Sequence, residues 1–358
     1  MIAISGRGGL VGWHLRTVLY SEGRSWQDVD LRQTVATTTD LADVETAIHV
    51  AGISRGSDHD VREGNVELAR RFVAALDAGG ARPRRVVYAD TGMRGTSPYT
   101  EGKARAREVL SAAAARWGAD FVDVVIQNVF GEHGTPYHNG VALTFCHRIA
   151  RGEQPSVDSD DVRTFVHAQD VAEALAGMID QAELDRRGTR MTVPELAGRI
   201  TALADVYRRG EIPAFESRFD RDLFNTYRSY AFAVSPVHRL TSAMDERGAF
   251  TELVRAHGSA GQTGISTTLP GITRGDHFHR RKIERFVVVQ GEARIVLRRV
   301  LTDERQVIDV TGEQPVAVDI PTLWAHAITN TGASPLVTAF WTNELFDPAR
   351  PDTHQETA

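Results

Sequence analysis

The hydrophobic pattern of this 358-residue chain changes its period once, near residue 242, and that change limits the possible folds more than any single motif does. From residue 1 to about 180, the apolar runs IAIS, AIHVAG, RRVVYAD and DFVDVVIQNVFG alternate with helical stretches such as LVGWHLRTVLYSEG, VELARRFVAALDAGG and EGKARAREVLSAAAARWG. Strands separated by helix-length segments predict a doubly wound parallel sheet, a Rossmann-like α/β domain. Residues 181 to 240 read as polar and helical, a lid and connector. After DERGAF the texture becomes short strands broken by Gly, Pro, Thr and Asn, which predicts an all-β barrel or sandwich. The expected domains are therefore 1–242 and 243–358.

Composition narrows the function classes. With 42% hydrophobic and 25% charged residues, the chain can bury two cores. The net charge of -6 and the scattered arginines leave no electrostatic footprint for nucleic acid. Cys146 is the single cysteine, so no internal disulfide forms, and its expected role is that of a small buried apolar residue. No run reaches the roughly eighteen apolar residues that span a bilayer, and MIAIS shows no basic leader. The expectation is a cytoplasmic protein in a reducing compartment.

In ISGRGGLVG, Ser5 and Gly6 close a strand, and Gly6, Gly9 and Gly12 lead into a helix. Glycines there permit a tight turn and let the backbone approach a pyrophosphate at the positive end of the helix dipole. Tyr99 and Lys103 stand four apart, on one helix face, where an ammonium tunes a phenol as a proton donor and acceptor. Thr91 ends the preceding strand, in reach of a substrate carbonyl. These residues resemble the short-chain dehydrogenase/reductase superfamily in its extended, nucleotide-sugar branch. The resemblance implies Tyr99 as proton donor, Lys103 on the nicotinamide ribose and Thr91 as orienting hydroxyl. HVAG, with Ala51 and Gly52, resembles the family's strand beside the cofactor; Asn65 lies in the next helix, and QNVFG resembles a further family segment. The sequence departs from the family at Ser5-Gly6 and at Ala89-Asp90-Thr91. Asp28 or Asp30 suits a ribose diol and NADH; Arg24 or Arg32 suits the 2'-phosphate of NADPH.

The second constellation is GDHFHRRKIERFVVVQG. His277 and His279 share a strand face and can aim at one ion. Glu284 lies five residues on, an odd spacing, so the RRK between must turn or bulge. Gly275, His277, His279, Glu284 and Gly291 resemble the first cupin motif, and Pro321, His326 and Asn330 the second, with Leu323 where that motif has Gly. Three His and one Glu form a first shell for a divalent metal. DERGAF resembles a segment of deoxysugar 3,5-epimerases.

The chain as a whole resembles the bifunctional CapF (WbjC) family, through SPYTEGKA, TPYHNGVALTFCHRIARGE, DLFNTYRSY, PGITRGDHFHRRKIERFVVVQG, IPTLWAHAITN and WTNELFDPARPDTH. That resemblance implies zinc, a homodimer, and a UDP-linked 2-acetamido-2,6-dideoxy-4-hexulose as substrate. The cupin would invert C3 and the reductase would reduce C4 with NADPH, on the way to UDP-N-acetyl-L-fucosamine. Lys282 or a histidine is the candidate base. Three rivals stand beside it: a reductase or 4-epimerase with a passive cupin, a non-catalytic nucleotide-sugar sensor, and an Fe(II) dioxygenase.

Overall fold

The computed structural model describes residues 1–32, 40–93, 95–138, 140–246, 248–258 and 261–358, with the backbone alone for 248–250. The chain divides into two compact units: Met1–Val141 with Asp161–Thr192, and Ala142–Asp160 with Val193–Ala358. No helix among the described residues is long and apolar enough to cross a membrane.

The first unit runs β1 (Ile2–Ser5), α1 (Leu10–Ser21), β2 (Trp26–Val29), β3 (Thr46–His49), α2 (Asp58–Ala78), β4 (Arg85–Thr91), α3 (Pro98–Trp117) and β5 (Asp120–Ile126). These strands form one parallel sheet in the order β2-β1-β3-β4-β5, the predicted Rossmann-like architecture. Because strand side chains alternate, each strand feeds two cores. Ile4, Ile48, Val87 and Val124 pack with Leu15 and Val18 of α1, while Ala3, Ala47, Val86 and Tyr88 pack with Phe72 of α2 and Leu110 of α3. Helix α3 starts three residues before the stretch read from sequence. Ser97 accepts from Thr100 N–H and Thr100 Oγ1 accepts from Ser97 N–H, a capping box followed by Pro98. Ser57 likewise caps α2 by accepting from Asp60 N–H at 3.1 Å.

Further along lie β6 (Asn128–Phe130), α4 (Val141–Ala150), β7 (Val162–His167), α5 (Ala168–Leu175), α6 (Gln181–Arg187) and β8 (Thr189–Thr192). The small sheet β6-β7-β8 closes the first unit. Just past β6, buried Glu132 meets His167 Nε2 at 3.1 Å, and its backbone carbonyl lies 3.2 Å from His14 Nε2 of α1. Burial alone would raise the Glu132 carboxyl, but His167 and His14 outweigh it and hold the group down at about 2.

The second unit holds α7 (Val193–Tyr207), α8 (Arg218–Val234), β9 (Val237–Arg239), β10 (Ser242–Asp245), β11 (Gly248–Thr251), β12 (Gln262–Thr268), β13 (Thr273–Phe278) and β14 (Glu284–Gln290). It continues with β15 (Glu292–Arg299), β16 (Arg305–Thr311), β17 (Val316–Ile320), β18 (Trp324–Asn330), β19 (Leu336–Thr342) and β20 (His354–Gln355). Two antiparallel sheets, β12-β19-β14-β17-β9 and β16-β15-β18-β13-β20, share one core of Val288, Val318 and Ile320 against Ile295, Leu297 and Trp324. This is the expected all-β region. Of DERGAF, Arg247 and the side chains of 248–250 lie outside the described residues; β10 and β11 pair antiparallel, with Asp245 opposite Gly248.

The polar, helical reading of 181–240 is corrected in three places, one of them strand β9, which pairs with β17. Thr189–Thr192 is a strand paired with β7. Helix α8 buries Phe219, Leu223, Phe224 and Tyr227 at helical spacing, and α7 and α8 cluster with the barrel. Arg228 Nη2 donates to the Ile320 carbonyl at 2.9 Å, and Arg285 grips Asp319 with two bonds of 2.7 and 3.0 Å while donating to the Gly210 carbonyl. Buried ion pairs of this kind leave no periodic trace in a sequence.

Glu132→Gln should cost on the order of 2 kcal/mol at pH 7, the scale of a hydrogen bond to a charged group. A depressed folded pKa stabilises above the unfolded value near 4.5 and ceases to do so as pH falls toward about 2. The gap in melting temperature between wild type and variant should therefore narrow across that window; a constant gap would contradict the assignment.

Candidate functional site

The carboxyl edge of the parallel sheet gathers the first set of residues. Gly6 has φ +84, and a Cβ there would stand 2.5 Å from Ala51 N; one on Gly12 would stand 2.1 Å from the Gly6 carbonyl oxygen. Both glycines are demanded by close backbone contact. Gly8 has nothing within 4 Å of a Cβ position, and Gly9 precedes α1 with no side chain capping the helix. A bare helix N-terminus beside open space suits a diphosphate, so the donor set fits a dinucleotide. Ser5, by contrast, is fully buried: its hydroxyl lies 2.8 Å from His49 Nδ1 and accepts from Ala51 N–H at 3.5 Å. Its part is to hold the ends of β1 and β3 together. Burial, with the Lys103 charge, lowers His49 to about 3, so that ring is neutral. Gly52 and Ala51 lie in the segment fastened by Asn65, which accepts from Ile53 N–H and donates to the Ile53 carbonyl at 2.7 Å.

Thr91 ends β4, and Tyr99 and Lys103 rise from the first turns of α3. Burial raises Tyr99 above the ordinary phenol value, Asp90 adds to this, and a hydrogen bond with Thr91 opposes it. Tyr99 and Thr91 are thus neighbours. Lys103 is buried; its ammonium donates to the Ala89 carbonyl at 2.5 Å and sits 4.2 Å from the centre of the Tyr88 ring. Burial lowers Lys103 to about 8, against the pull of Asp90 and Asp123. Asp90 is the charge that adds to burial in raising Tyr99. Asp90 was noticed in the sequence only as a departure from a Ser-rich triplet. It also helps burial raise Asp123 to about 6, against the cation of Arg107.

Of the residues considered for the cofactor ribose, Asp28 lies 3.4 Å from Arg16 and 3.9 Å from Arg7 of the glycine loop. Asp30 accepts from Arg32 N–H at 3.0 Å. Arg24 precedes β2 and donates to the Ala176 carbonyl, at the sheet's amino edge, so it does not meet a 2'-phosphate.

In the second unit the four ligand candidates converge. One nitrogen or oxygen from each of His277, His279, Glu284 and His326 lies within 4.8 Å of the others. Asp276, at φ +55, is the extra residue of a bulge: Gly275 faces Ala327 and His277 faces His326. The predicted RRK turn is present, since β13 ends at Phe278 and β14 begins at Glu284. Glu284 Oε2 comes 3.0 Å from His279 Nε2 and 3.3 Å from His326 Nε2. His279 Nε2, Glu284 Oε2 and both His326 ring nitrogens are buried without hydrogen-bond geometry to a partner. Buried polar atoms left so are costly; a divalent cation would satisfy them, so the donor set fits a metal. Burial, then His326 and His279, lower His277 to about 4, leaving a neutral ring with a lone pair. Burial would raise Glu284, but His279 and His326 hold it well below the usual carboxylate range. Leu323 keeps the left-handed backbone (φ +65) that the motif's glycine would adopt, and its N–H donates to the His279 carbonyl at 2.8 Å. A left-handed backbone at a residue with a Cβ carries a strain of about 1–2 kcal/mol. Lys282 is buried two residues before Glu284.

Comparison with known proteins matches both regions. Residues 2–193 match the NAD dependent epimerase/dehydratase family, and residues 243–354 match the polysaccharide biosynthesis C-terminal domain. A Pseudomonas aeruginosa protein named UDP-2-acetamido-2,6-beta-L-arabino-hexul-4-ose reductase is 28% identical over 323 residues, 88% of this chain and 86% of its own. The crystal structure of the capsular polysaccharide assembling protein CapF from Staphylococcus aureus aligns with 100% of this chain and 99% of its own, at TM-score 0.60 and 28% identity. The Thermotoga maritima UDP-glucose 4-epimerase, at 17% identity and TM-score 0.53 over 65% of this chain and 99% of its own, shares the fold. The match to CapF along the whole chain bears out the resemblance read from the sequence.

Gly12→Ala should weaken dinucleotide binding about tenfold to a hundredfold, since overpacking of about 1–3 kcal/mol falls on the loop. Titration of reduced nicotinamide fluorescence measures it, and unchanged affinity would contradict the role given to the loop.

Proposed function

Starting from a chain that belongs to the NAD dependent epimerase/dehydratase family, we propose that it is a bifunctional nucleotide-sugar enzyme. Its substrate is a UDP-linked 2-acetamido-2,6-dideoxy-4-hexulose. The barrel inverts C3 and the first unit reduces the C4 ketone with NADPH, giving UDP-2-acetamido-2,6-dideoxy-L-talose on the way to UDP-N-acetyl-L-fucosamine for capsule or O-antigen. What carries the reading is one observation: a Tyr99–Thr91–Lys103 set, half-buried at the tyrosine and threonine and buried at the lysine, and a three-His, one-Glu centre occur on the same chain. The names of the Pseudomonas and Staphylococcus relatives supply the substrate class and the capsule context.

Chemistry sets the order of steps. The C3 proton is labile only while C4 is a ketone, because its loss gives an enolate; reduction then fixes the configuration. In the barrel, His277, His279, Glu284 and His326 would hold the metal, taken as zinc, which when bound supplies a Lewis acid beside the sugar carbonyl. Lys282 or a histidine takes the C3 proton, and reprotonation from the other face completes inversion. In the first unit the glycine loop binds the NADPH diphosphate, Thr91 orients the ketone, and Tyr99 gives its phenolic proton to the oxygen as hydride arrives at C4. Burial keeps Tyr99 protonated at neutral pH, which suits a donor. Lys103, lowered to about 8 by burial, still carries a proton at pH 7 and balances the charge left on the phenolate. A homodimer and a domain boundary at residue 242 belong to this reading; the barrel model's match beginning at residue 243 supports the boundary, whereas α7, α8 and β9 fold with the barrel ahead of it.

Tyr99→Phe should abolish NADPH oxidation, by a factor of about 10² to 10⁴, while C3 epimerisation continues at the wild-type rate; loss of both would overturn the two-site reading. His279→Ala should purify with much less bound metal by elemental analysis, and wild-type metal content would remove the centre from the account.

A further inference from the structure

The C-terminal tail returns to the histidine centre and meets it twice through one residue. Asp352 is buried and has φ +47, a left-handed backbone that Asp tolerates better than most residues. Its carbonyl oxygen lies 2.5 Å from His279 Nδ1. A carbonyl only accepts, so Nδ1 carries the proton and Nε2 presents its lone pair to the centre. Its carboxylate accepts three backbone N–H bonds in a row: Arg280 at 3.1 Å, Arg281 at 3.0 Å and Lys282 at 2.9 Å. These are the residues of the turn that brings Glu284 back to the histidines. Past Asp352, β20 pairs with the histidine strand, Gln355 opposite His277 and His354 opposite Phe278, and Ala358 N–H donates to Asp276 Oδ1 at 3.2 Å. The tail is thus fastened on both sides of the paired histidines.

We propose that Asp352 is the positioning residue of the metal centre: its carbonyl sets the tautomer of His279, and its carboxylate holds the 280–282 turn on which Glu284 depends. The C-terminal tail is then part of the site, not a surface strap. Two ligands of the four are oriented by this one residue, from opposite ends of their connecting turn. Partners of ligating histidines typically govern metal affinity by 10–100-fold. This inference rests on the reading that the four residues bind a divalent metal.

The test uses the full-length wild type, Asp352→Asn and a chain ending at Pro351, each stripped with chelator and checked for cooperative unfolding. Zinc affinity is measured by competition with a chromophoric chelator, and cobalt(II) uptake by its visible absorption, which reports ligand geometry. Asparagine keeps the size and the main-chain carbonyl but replaces one acceptor oxygen with a donor. Zinc binding should weaken about tenfold in Asp352→Asn and about a hundredfold in the shortened chain, with an altered cobalt spectrum in both. If the shortened chain does not fold, Asp352→Asn alone decides. Wild-type zinc affinity and cobalt spectrum in Asp352→Asn would overturn the inference and leave the metal reading standing. A wild type that takes up neither metal would overturn both.

Discussion

Glu284 cannot share a strand face with His279, because five is an odd number of residues in an extended chain. The barrel's candidate centre exists only because β13 stops at Phe278, the backbone turns, and β14 starts at Glu284. The other features of the centre serve that geometry. A bulge at Asp276 sets His277 opposite His326, and Leu323 accepts a left-handed backbone so that its N–H can meet the His279 carbonyl. Strain and an extra residue in the ladder are tolerated together where four donor groups, two of them on buried histidines, must converge.

At the sheet edge of the first unit, the balance is electrostatic. A buried ammonium and a half-buried phenol sit close to two carboxyl groups, and burial is the largest influence on Tyr99, Lys103 and Asp123 alike. It pushes Asp123 up and Lys103 down, toward the range where protons move at neutral pH, and pushes Tyr99 up and away from that range, so the phenol keeps its proton. Asp90 raises both Tyr99 and Lys103, so the balance of protons involves one more group than the tyrosine–lysine pair alone.

Much of this was legible in the sequence because it is periodic or punctuated. Alternating apolar strands gave the parallel sheet, HFH two apart gave a shared face, and the odd spacing of Glu284 required the turn that is seen. What escaped notice is non-local. The three N–H groups at 280–282 are held by a residue some seventy positions away, and α8 looks polar in composition while its aromatic stripe and Arg228 are buried. Arg24 seemed a phosphate partner by proximity to β2 in sequence, but a residue before a strand lies at the opposite end of the sheet from one after it. Ser5 carried a motif position, yet its hydroxyl is turned to His49.

The proposed pairing of two chemistries on one chain requires that inversion at C3 precede reduction of the ketone. The most direct measurement follows the UDP-linked 4-keto-6-deoxy sugar by NMR in deuterated water with the protein and no NADPH. The account predicts deuterium at C3 before any reduction, and its retention in the alcohol formed once NADPH is added. An unexchanged C3 proton, with NADPH consumed normally on addition, would contradict it and leave the barrel without a catalytic part.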